Sequence, residues 1–184
     1  MLANRLSENP SWKVLLIDAG PEKGPLVTSL YNIKSTQIPA MCIEAQLSDV
    51  DWQYKTVPQK HCDNRIFNWP RGKLFGGCSA INAMLYVRGN KEDYDNWEKL
   101  YGCEGWNFNS VLPYFKKSEN CMIKKANSKF HGSGGPLNVQ TTTNSNPNIL
   151  VHKFVQGCAE IGIPSNEDIN GESQVGATIS PVLF

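Results

Sequence analysis

Apolar and polar positions alternate along this chain with a period that changes every ten to twenty residues, and each change marks an element. Residues 1–8 place Leu2 and Leu6 four apart, as on one face of a short helix, and Asn9-Pro10-Ser11 ends it. Lys13 is followed by the unbroken apolar run Val14-Leu15-Leu16-Ile17, which closes in Asp18-Ala19-Gly20. A run apolar at consecutive positions suits a strand buried on both faces, the usual setting of a parallel sheet. Helix, turn, strand and an acid at the strand's carboxyl end predict the second half of a βαβ dinucleotide unit, where that acid accepts hydrogen bonds from the adenosine ribose. No Gly-x-Gly-x-x-Gly precedes the helix, and a solvated strand end is the competing reading of Asp18.

Residues 21–70 are irregular, with a rough alternation at 51–57 that predicts a strand. Pro58, His61, Asp63, Asn64 and Pro70 make 56–70 an extended surface segment and place His61 in solvent. Three helices are predicted downstream. Asn90 caps one at 90–99 with Tyr94 and Trp97 on a shared face. A second covers 110–117, with Pro113 in its first turn and Lys116 and Lys117 at its end. The third, 150–161, has apolar positions at 150, 151, 154, 155, 158 and 161, a helix period that predicts burial of Phe154 and Cys158. Between them, residues 131–139 read as a loop entering a strand, and the chain from Asn166 is polar and glycine-bearing.

Composition narrows the function classes. A length of 184 residues fits one domain, or one and part of a second. With 40% hydrophobic and 19% charged residues the chain is an ordinary globule, not a disordered one. Eighteen basic against 17 acidic residues leave a formal charge of +1, so no basic field argues for a nucleic-acid partner. No apolar run approaches the roughly 18 residues of a membrane span. The six cysteines, at 42, 62, 78, 103, 121 and 158, are too dispersed for a disulfide framework. They contain no Cys-x-x-Cys, and His61-Cys62 has no second pair at zinc-finger spacing, so no metal site is assigned. Mostly buried thiols are expected, with one or two disulfides left open.

The block from Trp69 to Gly89 is the most informative. Pro70-Arg71-Gly72-Lys73-Leu74-Phe75 leads into Gly76-Gly77-Cys78-Ser79-Ala80-Ile81-Asn82, then into the helix-compatible Ala83-Met84-Leu85. Paired glycines expose backbone, so a flat or charged ligand can approach the main chain, and N–H groups at a following helix start can face an anion. This is not a Walker loop, because Lys73 follows the first glycine instead of ending a Gly-x-x-x-x-Gly-Lys motif. A tight structural turn is the alternative.

With these residues together, the chain resembles the amino-terminal part of the glucose–methanol–choline (GMC) family of flavin oxidoreductases. The resemblance rests on 2–8, on 13–20, on Asp51-Trp52-Gln53-Tyr54, and on Pro70-Arg71-Gly72-Lys73 with the 76–82 block. It continues through Tyr86-Val87-Arg88-Gly89-Asn90, Asp93-Tyr94-Asp95-Asn96-Trp97, residues 112–119 and His131-Gly132-Ser133-Gly134-Gly135-Pro136-Leu137. It implies an α/β fold: a partial, Rossmann-like FAD-binding domain with its flavin-covering segment over 1–100, and the beginning of an α+β substrate domain, built on an antiparallel sheet, over 101–184. It implies FAD as cofactor, with Asp18 on the adenosine ribose. Leu74, Gly76, Gly77, Ser79, Asn82, Ala83, Met84 and Leu85 stand at the family's flavin contacts. Some members attach FAD through a histidine in this block; Ile81 stands before Asn82 here, so FAD is expected to be non-covalent.

The resemblance also implies a reaction, oxidation of an alcohol substrate by hydride transfer to flavin. The family's catalytic histidine lies near the carboxyl end of a much longer chain, and none of His61, His131 and His152 matches it. No catalytic residue is therefore assigned. Both the glycine fingerprint and that histidine fall outside these 184 residues, so the expectation is an incomplete chain that is not competent alone. The alternative is a non-catalytic truncated product, or an interaction module that does not hold FAD stably.

Overall fold

The computed structural model describes residues 2–21, 26–28, 33–34, 42–141 and 148–183. The chain divides into two compact units, Met1–Ala83 and Met84–Phe184.

The first unit is built mainly of turns and short pairings. A one-turn helix, α1 (Leu2–Leu6), buries none of its residues. Residues 12–18 then run without regular secondary structure, leaving Leu15 81% and Ile17 82% exposed. The strand predicted at 13–17 does not form, because an extended run becomes a strand only when a neighbour takes up its N–H and C=O groups, and no described strand lies beside it. Strands β1 (Leu26–Thr28) and β2 (Ile33–Lys34) pair antiparallel. Helix α2 (Cys42–Ala45) follows. Strands β3 (Tyr54–Lys55) and β4 (Asn68–Trp69) form a second antiparallel ribbon, with Tyr54 opposite Trp69. The connection between them holds a single 3-10 turn, Lys60–Cys62, with His61 exposed as expected. The core of this unit is small: Ala45, Val50, Leu74 and Ile81, with Ala80 against it.

In the second unit, helices α3 (Lys91–Tyr101) and α4 (Phe108–Ser118) pack beside a three-stranded sheet of β5 (Glu119–Cys121), β6 (Leu137–Thr141) and β7 (Pro181–Leu183). The sheet is mixed, not antiparallel: β5 runs parallel to β6, and β7 closes antiparallel on the other edge of β6. Val139, at the centre of β6, is fully buried.

Helix α3 begins as predicted, its Asn90 side chain accepting the Glu92 N–H, and ends at Gly102 with φ of 69°. Helix α4 starts earlier than its sequence suggests. Asn107, not Ser110, is its cap and accepts the Ser110 N–H at 2.9 Å, so Pro113 lies within the helix and not in its first turn. The earlier start has a tertiary cause. The Asn107 amide donates to both oxygens of Glu98 at 2.9 Å, Glu98 also takes the Gly105 N–H, and Asp95 takes the Phe108 N–H. Side chains of α3 therefore fix where α4 begins.

Helix α5 (Ile149–Glu160), capped by Asn148, has the predicted period but buries no residue. Phe154 is 68% exposed and Cys158 half-buried, against the expected burial, because no described element covers this apolar face. All six cysteines are free, as expected, but none is buried, against the expectation that most would be.

Asn107→Ala should remove the α4 cap and the tether to Glu98 together. We expect a loss of about 1–2 kcal/mol in urea unfolding followed by far-ultraviolet circular dichroism.

Candidate functional site

The flavin-facing candidates of the first unit lie where two backbone segments meet. The Asp18 carboxylate is exposed, and its Oδ1 accepts the Gly20 N–H at 2.8 Å, which closes a turn at the end of the apolar run. That turn abuts the 73–75 segment. A Cβ on Gly20 would collide with the Lys73 carbonyl, and the Phe75 N–H donates to the Pro21 carbonyl at 3.2 Å. Asp18, at the end of the apolar run, and the glycine turn are thus brought together by backbone contact that only glycine at position 20 permits.

The turn itself is left-handed at Gly76, φ 96°, and Gly77, φ 55°. It is stapled by the Gly77 N–H to the Leu74 carbonyl and by the Ser79 N–H and hydroxyl to the Gly76 carbonyl. A 3-10 turn, Gly77–Ala80, follows. A side chain added at Gly77 would meet no atom within 4 Å, so the backbone there borders open space. Gly76, Ser79, Asn82 and Ala83 are exposed. Leu74 is 1% exposed and its side chain sits in the core, leaving its backbone as the part near the turn.

Met84 and Leu85 belong to the second unit. Met84 holds a left-handed φ of 58°, a conformation that costs a non-glycine residue about 1–2 kcal/mol. Its carbonyl accepts the Leu183 N–H at 2.9 Å, and Leu85 bridges to Val182.

The second unit also contains a buried ionic network for which the sequence carried no local signal. Glu119, at the start of β5, is fully buried. Its Oε1 lies 2.6 Å from Arg88 Nη2, 2.6 Å from the Gly132 N–H and 3.2 Å from His131 Nδ1. His131 Nε2 lies 2.9 Å from Asp168 Oδ2. Arg88 Nη1 donates to the Phe130 carbonyl at 2.6 Å, its N–H donates to Asn170 Oδ1, and the Tyr94 hydroxyl donates to its carbonyl. Two cations and two carboxylates from four segments thus form one neutral cluster.

Glycine permits the close packing of this cluster. A Cβ on Gly132 would strike the Lys116 carbonyl, and one on Gly135 the backbone of Glu119. Burial alone would lower the His131 pKa, but the hydrogen bond that its imidazole donates to Asp168, and then that to Glu119, outweigh it and raise it to about 9. Glu119 and Asp168 are both held below their ordinary range, since hydrogen bonds from His131, with Arg88 and backbone N–H groups, overcome the opposing effect of burial. Cys121 Sγ lies within 4.8 Å of ligand atoms on Glu119 and His131. The Arg88 guanidinium on the same carboxylate opposes a second cation there.

Comparison with known proteins places this geometry. The family model described as GMC oxidoreductase matches residues 22–182. The chain belongs to the GMC oxidoreductase family. The oxygen-dependent choline dehydrogenase of Proteus mirabilis is 39% identical over 176 residues, covering 96% of this chain and 30% of that protein. Among solved structures, pyridoxine 4-oxidase from Mesorbium loti superposes with a TM-score of 0.81 at 32% identity, covering 100% of this chain and 34% of its own. An FAD-dependent oxidoreductase from Chaetomium thermophilum gives 0.72 at 30% identity, covering 98% and 31%. The chain therefore spans about 30% of the length of the curated relatives it matches.

For this GMC chain the fold is a partial α/β FAD-binding domain and the cofactor is FAD. The first unit fits that cofactor in two respects. The backbone at Gly77 borders open space that any side chain would occupy, and the second oxygen of Asp18 takes no hydrogen bond among the described residues.

The network makes stability depend on pH in both directions. The raised His131 pKa contributes stability that is full below its ordinary value of 6.5 and is lost as pH rises through about 9. The lowered carboxylate values contribute stability that is full above their ordinary range and is lost as pH falls through the depressed values. His131→Gln should therefore destabilise by up to about 3 kcal/mol near pH 6 and progressively less toward pH 9. Thermal melts of both proteins across that range check it. Arg88→Met removes the guanidinium that lies 2.6 Å from buried Glu119 and should cost about 3–5 kcal/mol by urea titration at pH 7.

Proposed function

We propose that this chain forms the flavin-facing part of an FAD-dependent oxidoreductase acting on the CH–OH group of an alcohol, and that FAD is held non-covalently. The observation that carries the reading is the packing of the Asp18–Gly20 turn against Lys73, directly before an open left-handed glycine turn. The family membership supports it. Relatives named for choline and for pyridoxine, both alcohols, support the substrate class without selecting a member of it.

The redox chemistry, acceptance of a hydride from the carbinol carbon, belongs to the cofactor. The chain's own residues bind and orient. The free carboxylate oxygen of Asp18 accepts from ribose hydroxyl groups, as the acid at a strand end does in dinucleotide-binding units. Gly76 and Gly77 let the isoalloxazine edge reach the main chain, and Ser79, already donating to Gly76, stiffens the turn instead of reaching outward. Asn82, Ala83, Met84 and Leu85 continue the flavin-contacting stretch. Leu74 contributes through its backbone, its side chain being in the core. The functional division we infer assigns 1–100 to cofactor binding and covering, and 101–184 to the opening of the substrate domain.

A second reading has its own support. Leu15 and Ile17 stand exposed on a run that pairs with no strand among the described residues, and Phe154 on α5 is exposed as well. Such surfaces suit a module that pairs with another polypeptide and does not hold FAD by itself.

Titration of the purified chain with FAD, read by flavin fluorescence and absorbance, separates the two. Binding near one FAD per chain, with Asp18→Ala weakening it about tenfold, about 1.4 kcal/mol, and Gly77→Val abolishing it, supports the cofactor reading. A colourless preparation that binds anilinonaphthalene sulfonate and leaves FAD fluorescence unchanged supports the interaction module.

A further inference from the structure

Asp51 opens the block Asp51-Trp52-Gln53-Tyr54, which lies 20 residues before the Arg71-Gly72-Lys73 lead of the glycine turn. In the structure Asp51 is 3% exposed and makes no ion pair among the described residues. Its carboxylate is satisfied entirely by backbone. Oδ2 accepts the Leu47 N–H at 2.8 Å, and Oδ1 accepts the Gln53 N–H at 3.1 Å and the Arg71 N–H at 2.8 Å. A buried charge met by three N–H dipoles and no counter-ion is costly unless all three stay aimed at it, so it fixes the segments that carry them. Those N–H groups hold its pKa below the ordinary range although burial pushes the other way, so the group is ionised at neutral pH.

The segment it fixes across the longest sequence separation is the lead of the glycine turn. Trp52 N–H donates to the Arg71 carbonyl at 2.9 Å, and Lys73 N–H to the Val50 carbonyl at 2.7 Å, so 71–73 is clamped on both sides of the carboxylate contact. Gly72 faces the turn directly. Its N–H lies 3.5 Å from Cys78 Sγ, and a Cβ on Gly72 would collide with the Gly77 carbonyl. A continuous path of contacts therefore runs from Asp51 through Arg71 and Gly72 to Gly77 and Cys78.

We propose that Asp51 is a positioning residue for the glycine turn at 76–79: by holding Arg71 and Gly72, it sets the backbone conformation against which the flavin is bound. The cofactor part of this inference rests on the FAD reading above; the positioning part does not. An asparagine at 51 is isosteric but uncharged and offers one acceptor oxygen. It therefore sets an amide N–H₂ against the Leu47 N–H or against the Gln53 and Arg71 N–H groups, and it weakens the hold on whichever it keeps. The lead segment then shifts, and the turn with it.

Cys78 reports on the turn, and two other exposed thiols serve as controls: Cys62 in the same unit and Cys103 in the other. Rates of iodoacetamide labelling are measured at each cysteine by peptide mass spectrometry, in the wild-type chain and in Asp51→Asn, alongside FAD titration of both. The expected result is a rise of fivefold or more at Cys78, with Cys62 and Cys103 unchanged, and FAD affinity about tenfold weaker. Equal acceleration of Cys62 and Cys78 would mean general loosening of the unit and overturns the proposal, as does an unchanged Cys78. A selective Cys78 rise with undiminished FAD affinity supports the positioning of the turn and overturns the cofactor part. If the wild-type chain takes up no FAD, the cofactor reading falls, and a selective rise at Cys78 still supports the positioning of the turn. Should Asp51→Asn not fold, Asp51→Glu carries the test: it keeps the charge but moves the carboxylate by one methylene relative to the Arg71 N–H, and must give the same selective rise; no rise overturns the proposal.

Discussion

The organisation of the second unit depends on one buried carboxylate. Glu119 stands at the junction of α4 and β5, and a carboxylate taken wholly out of water is tolerable only with charged and hydrogen-bonded partners around it. Arg88, His131 and the Gly132 N–H are those partners, and Asp168 balances the imidazolium from the far side. The four side chains come from the segment before α3, the start of β5, the loop before β6 and the loop after α5. Each of these segments has little regular structure to place it. The network supplies placement in its stead, and the tight glycines at 132 and 135 allow the backbone to close around it.

The first unit solves the same problem on a smaller scale. Among the described residues its hydrophobic core is four residues, and its strands are two or three residues long. Backbone N–H groups gathered on the Asp51 carboxylate take over part of the work that a larger core would do. In both units a buried acid organises a loop rich in glycine. In the first, that loop borders the open space assigned to the cofactor; in the second, it is filled by the protein's own imidazole and guanidinium. The contrast in what occupies the two loops is the structural reason for placing cofactor binding in the first.

Much of the candidate site was legible before folding because it is local. Paired glycines at 76 and 77, an acid ending an apolar run, and Asn90 ahead of a helix each state their backbone conformation within a few residues. Features set by distant segments were not legible. Asn107 caps α4 because Glu98 holds it, Pro113 falls inside the helix as a result, and the pairing of His131 with Asp168 spans 37 residues. The apolar runs misled in a consistent direction. Residues 13–17 and the face of α5 carry the periodicity of buried elements, yet burial is a property of a pair of surfaces, and periodicity describes only one of them.

The sequence by itself determined the family, the fold class, the cofactor and the backbone character of the glycine turn. All of these are written in short motifs whose geometry follows from φ/ψ preference and side-chain chemistry. Tertiary structure decided that Leu74 points into the core, that Asp51 clamps the lead of the turn, and that Glu119 and His131 are charged partners in a buried network. Those outcomes depend on desolvation and on donors brought from far along the chain. Neither exists until the segments have met.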